Sequence, residues 1–75
     1  MDIVSALFGI AEHSLSIYDT KLSRKYLERV LNLKKIYRYE ENKQEDQRNH
    51  ALMDNIVAEL CLITDTIASF GKPNA

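Results

Sequence analysis

Asp46, His50 and Asp54 recur at intervals of four in the C-terminal half of this 75-residue chain. At about 100° per residue in a helix, that spacing stacks two carboxylates and an imidazole on one face, a pattern with the elements of a divalent-ion site. The series ends at Ala58. Cys61 and Asp65 return to the same face, but at a 1.5 Å rise per residue Cys61 lies roughly 10 Å beyond Asp54, too far to share one ion. A single histidine among carboxylates, with no second His or Cys in reach, predicts no metal site. His13 follows Glu12 on the polar side of the N-terminal segment. No motif pairs it with His50, and it reads as a surface histidine. No cofactor is expected.

The nucleophiles are equally isolated. Cys61 is the only cysteine and has no adjacent base of the kind that lowers a thiol pKa. It reads as a packing residue or a bystander, and a lone cysteine suits a reducing compartment. Ser14, Ser16 and Ser23 lack the glycine-flanked context of a catalytic serine, and two glycines leave no phosphate-cradling loop. The sequence therefore predicts a protein that is not an enzyme and has no small-molecule substrate.

What remains is charge. The net charge of −1 conceals segregation along the chain. Residues 21–38 carry Lys21, Arg24, Lys25, Arg29, Lys34, Lys35 and Arg38 against the single acid Glu28. Residues 1–20 hold three acids and no base, and residues 39–75 hold seven acids and three bases. A basic middle between acidic ends favours packing of the middle segment against the other two. Lys21, Arg24, Lys25, Arg29 and Lys35 span roughly 140° of a helix and form the candidate anion-binding face, for nucleic-acid phosphate or anionic lipid. Against nucleic acid stands the overall charge, since such binders are usually basic as a whole. Tyr26 and Tyr37 fall on the core stripe, which leaves Tyr39 as the better placed aromatic for stacking.

Three helices would position these groups. The first is expected at about residues 2–19, with Asp2 suited to its N-terminus. Ile3, Val4, Ala6, Leu7, Phe8, Ile10, Ala11, Leu15, Ile17 and Tyr18 form an apolar sector roughly 200° wide, interrupted only by Ser14. Gly9, on the polar face, suggests a bend or a close contact. Asp19 and Thr20 are good N-cap residues and mark a break or a kink. The second helix is expected at about residues 21–41, its core positions Leu22, Tyr26, Val30, Leu33 and Tyr37 stepping by four, four, three and four. The polar run from Glu41 to Arg48 holds a turn, and Asn42 followed by Glu45 resembles a capping box. The third helix is expected at about residues 45–70, with Leu52, Ile56, Leu60, Ile63, Ile67 and Phe70 as its seam and Met53 and Val57 broadening it. Small residues, Ala51, Ala58 and Ala68, occupy the far side. Gly71 suits a C-cap and Pro73 a stop.

The expected fold is thus all-α: a long antiparallel helical hairpin plus an amphipathic N-terminal helix, in one domain of residues 1–75. A chain this short buries only about 60 to 65% of its unfolded surface and usually recruits a disulfide, a metal or oligomerisation. With one cysteine and no ligand cluster, oligomerisation is the available route. Ile3, Leu7, Phe8, Ile10 and Ile17 are the candidate protein-interface residues, some burying the hairpin and the excess meeting a partner. Neither a signal peptide nor a membrane span is expected. Attachment of helix one to a membrane surface is a further reading, weakened by the lack of Lys or Arg on its polar face.

From Tyr37 to Leu60 the chain reads Tyr-Arg-Tyr-Glu-Glu-Asn-Lys, then Asp46, Gln47, Arg48, Leu52, Asp54, Ile56, Glu59 and Leu60. This stretch resembles short helical-hairpin proteins encoded by bacteriophages. The resemblance covers about a third of the chain and carries no functional residue with it. It implies a phage accessory or virion-associated protein, located in the bacterial cytoplasm or the virion, that assembles or binds a host or capsid partner. The expected function is structural or adaptor binding, through a homo-oligomer or docking onto a larger protein.

Overall fold

The computed structural model describes residues 2–18 and 20–70, the side chain of Phe70 excepted. Its elements are α1 (Ile3–Ile17), α2 (Lys21–Glu41), a 3-10 turn (Glu45–Gln47) and α3 (His50–Phe70), with no strand among the described residues. The fold is an all-α three-helix bundle. Lys34 on α2 pairs with Glu12 on α1 at 3.1 Å, and the Phe8 and Tyr37 rings meet at 6.1 Å, so α1 and α2 run antiparallel. Arg29 on α2 pairs with Glu59 on α3 and Glu40 accepts from the Asn49 N–H beside the start of α3, so α3 runs antiparallel to α2. Both ion pairs join the basic middle helix to its acidic neighbours, as the charge segregation favours.

Side-chain caps define where the helices begin. Asp2 Oδ1 accepts from the Val4 N–H at 2.7 Å and the Ser5 N–H at 3.1 Å, satisfying two of the donors a helix start leaves unpaired. Thr20 Oγ1 accepts from the Ser23 N–H at 3.0 Å, so α2 starts afresh after α1. Asp19, the other N-cap candidate there, lies outside the described residues, as do Gly71 and Pro73 at the far end.

The start of α3 differs from expectation. The helix does not run from about residue 45, and Asn42 and Glu45 form no capping box. Asn42 closes α2 instead, its N–H donating to the Arg38 carbonyl at 3.1 Å. Residues 45–47 make the tight 3-10 turn, and α3 is capped by Asn49, whose Oδ1 accepts from the Leu52 N–H at 3.1 Å. Two side chains hold the connection in this shape. Arg48 donates to the Lys43 carbonyl at 3.1 Å, the Glu41 carbonyl at 2.8 Å and the Glu45 carboxylate at 2.5 Å. Glu40 accepts from Lys43 Nζ and from the Asn49 N–H, each at 2.9 Å. These bonds satisfy carbonyls at the end of α2 and an N–H just before α3 that would otherwise need water.

The core joins Phe8, Ala11 and Leu15 of α1 to Val30 and Leu33 of α2 and to Ile56, Leu60, Ile63 and Ile67 of α3. Leu52, Tyr26 and Tyr37, also expected to face inward, pack against it half-buried, while Leu22 is 51% exposed. At that end of the bundle the inward position belongs to Ser23, fully buried and bonded through its hydroxyl to Thr20 at 3.0 Å. A small residue there lets the helix start sit close to its neighbours, and Leu22 is turned to the outside.

Candidate functional site

The apolar sector of α1 divides in two. Phe8, Ala11 and Leu15 point into the core, with Val4, Leu7 and Tyr18 packed beside them. Ile3, Ile10 and Ile17 are 79%, 55% and 64% exposed. The three isoleucines are spaced by seven residues, so they fall within a narrow stripe about 130° round the helix from the core residues. Two packed neighbours cover only one side of α1, and a 200° apolar sector is wider than they can bury.

The interface residues expected from sequence are therefore separated by the fold. Phe8 is 2% exposed, stacked in a tilted arrangement against Tyr37, and belongs to the chain's own core. Leu7 packs half-buried beside it. Ile3, Ile10 and Ile17 remain on the surface. Next to that stripe, Ser5, Ala6, Gly9, Ile10, His13 and Ser14 line a shallow depression of about 580 Å³. Gly9 makes no close contact within the chain, because a Cβ placed there would meet nothing within 4 Å, and α1 runs through it without a break. Its absent side chain deepens the depression, leaving room for another backbone to approach.

A second concave surface, not recognised from the sequence, lies between α2 and α3. Tyr26 and Ile63 form its floor, and Leu22 and Leu62 its walls. Lys25 and the Arg29–Glu59 pair stand at the rim, with Thr66 at one end, and the groove encloses about 460 Å³. Leu62 is 68% exposed. The sequence assigns Leu22 to the core, which conceals the groove; the one signal for it is Leu62, an apolar residue far from the seam of its own helix.

The candidate anion-binding residues Lys21, Arg24, Lys25, Arg29 and Lys35 all lie on the exposed side of α2. Arg29 is held by Glu59 through two hydrogen bonds, the Nη2 one at 2.8 Å. That interaction raises the guanidinium pKa and lowers the Glu59 carboxyl below the usual carboxylate range.

The ligand-like series on α3 is broken by the 3-10 turn. Asp46 falls within that turn and so does not share a helical face with His50 and Asp54. His50 Nε2 lies 3.2 Å from Glu45. Among the described residues no three His, Cys, Asp or Glu side chains are grouped to hold a metal ion. Cys61 is exposed on the outer side of α3, the side that also carries Ala51, Ala58 and Ala68. No helix among the described residues is long and apolar enough to cross a membrane. Glu40 is the one described acid that is largely buried, at 5% exposure. The Asn49 N–H and then Lys43 hold its carboxyl below the usual range, and its bonds serve the turn.

Compared with protein-family models, curated proteins and solved structures, the chain matches none.

Proposed function

We propose that this chain acts without catalysis, as a structural or adaptor protein that associates through the outer face of α1, either with copies of itself or with a larger protein. The observation that carries the reading is the Ile3–Ile10–Ile17 stripe. Together these side chains expose about as much surface as two free isoleucines, worth roughly 3 to 6 kcal/mol per chain on full burial. A stripe repeating every seven residues suits a partner helix, whose side chains interlock at that period. Ala6 and Gly9 beside it permit a close approach. The resemblance of residues 37–60 to phage-encoded hairpin proteins supports a phage accessory or virion-associated setting, in the host cytoplasm or the virion.

The test compares wild type with Ile10→Glu by light scattering at increasing concentration. Wild type is expected to rise above the 8.7 kDa monomer mass, with Ile10→Glu lagging behind it at equal helicity. If α1 docks only onto a different protein, Ile10→Glu leaves the mass unchanged and abolishes binding to that protein. A mass and a partner binding that are both indifferent to Ile10→Glu would contradict the assignment to α1.

A further inference from the structure

We propose that the groove between α2 and α3 seats a second copy of this chain face to face, related by a two-fold axis that lies in the interface and runs along the helices. The inference goes beyond the α1 surface and does not depend on it, since no α1 residue lines the groove.

Two observations select this occupant. First, a projection and a recess sit side by side on one face. Leu62 stands 68% exposed at the edge of a recess floored by Tyr26 and Ile63. A two-fold axis beside Leu62 inserts each copy's Leu62 into the other's recess, the self-complementary arrangement a closed dimer requires. Second, the two helices that flank the groove carry opposite net charge. On the groove itself, Arg29 of α2 and Glu59 of α3 are paired within the chain, and Lys25 adds a further positive charge on the α2 side. Over their full lengths α2 holds seven Lys or Arg against three Glu, and α3 holds Asp54, Glu59 and Asp65 with no Lys or Arg. Rotation by the two-fold lays α2 of each copy over α3 of the other, basic on acidic, twice. A two-fold running across the helices would instead lay α2 on α2 and repel. An α1 helix of another copy offers no comparable match, having Glu12 as its only charged residue besides histidine.

The consequence is a bivalent particle. The groove opens away from α1, so the dimer carries its two α1 helices on opposite outer faces, each presenting an Ile3–Ile10–Ile17 stripe. Two stripes facing outward allow one dimer to bridge two partners.

Sedimentation equilibrium of four proteins tests this: wild type, Ile10→Glu, Leu62→Glu and the double variant, each checked for helicity and melting temperature. Leu62 is sufficiently exposed for glutamate to leave the monomer fold intact. Ile10→Glu, with the α1 route removed, is expected to remain a dimer of twice the monomer mass, and adding Leu62→Glu is expected to halve that mass. Lys25→Glu is expected to weaken the Ile10→Glu dimer without changing the monomer's melting temperature. A monomeric Ile10→Glu protein at every concentration, or a dimer that survives Leu62→Glu, would overturn the proposal. Failure of the α1 reading looks different: Ile10→Glu then matches wild type in mass and in partner binding, whatever Leu62→Glu does.

Discussion

Glu40, one residue before the end of α2, accepts the backbone N–H of Asn49, one residue before the start of α3, at 2.9 Å. This bond closes the hairpin. It brings the last turn of one helix to the cap of the next across nine positions of sequence, and the same carboxylate holds Lys43 at 2.9 Å. Lys43 in turn lies over the Tyr39 ring, 4.9 Å from its centre. With Arg48 tying three groups of the same connection, the polar run that reads as a simple linker is an ordered structural element.

Replacing Glu40 tests that element. Glu40→Gln keeps the shape and one acceptor for Asn49 but loses the charged partner of Lys43, whereas Glu40→Ala leaves the Asn49 N–H without its acceptor. Both are expected to lower the melting temperature, Ala more than Gln. Amide exchange should quicken first at Asn49 and in the opening turn of α3. Uniform faster exchange throughout the chain would contradict a local role.

Acid should act through the same group. The Glu40 carboxyl titrates below its usual value of 4.5 in the folded chain, chiefly because of the Asn49 N–H. A depressed folded value means stabilisation that is present above the unfolded value and lost as pH falls through the folded one. Glu59, lowered by Arg29, adds a smaller effect of the same sign because the pair is exposed and screened. Resistance to denaturant is therefore expected to fall below about pH 4.5, with a shallower decline in Glu40→Gln. An equal acid slope in the variant would contradict the assignment.

Core truncation separates fold from interface. Phe8 and Leu60 are buried within the monomer, so Phe8→Ala should cost about 3 to 5 kcal/mol and Leu60→Ala about 2 to 5 kcal/mol of folding stability. A chain of this length has only about 4 to 11 kcal/mol in total. Chemical denaturation should show both losses at protein concentrations low enough to exclude association. A Phe8→Ala protein of wild-type stability in dilute solution would show that Phe8 serves assembly instead.

Gly9→Ala gives the opposite sign. A helix-interior glycine costs about 1 kcal/mol relative to alanine, and an added Cβ at this position meets nothing within 4 Å. The substitution should raise the melting temperature by roughly 4 to 8 °C for a chain of this size. A fall would show that α1 is held at Gly9 by a contact the monomer lacks.

Much of this architecture is legible in the sequence, for reasons that also explain the misses. The four-and-three spacing of Ile56, Leu60, Ile63 and Ile67 identifies the inner face of α3 because only a helix brings those positions together. The charge segregation anticipates Lys34 with Glu12 and Arg29 with Glu59. Periodicity is blind to bundle ends, however, where Ser23 displaces Leu22 from the interior through a local bond to Thr20. It is also blind to how much of a wide apolar sector two neighbours can cover, so Phe8 and Ile10 look alike in sequence although one is buried and the other exposed. Glu40 is indistinguishable by type from Glu41, Glu45 and Asp46. Only the folded path of the turn brings it to Asn49.

The central claim, association through apolar helix faces, is tested most directly by the mass of the wild-type protein against concentration at low and high salt. The account predicts a species heavier than the 8.7 kDa monomer that persists at high salt, since burial of Ile3, Ile10 and Ile17 does not depend on screened charge. An oligomer that dissolves into monomers as salt rises would contradict it, and would make the basic side of α2 the surface that matters.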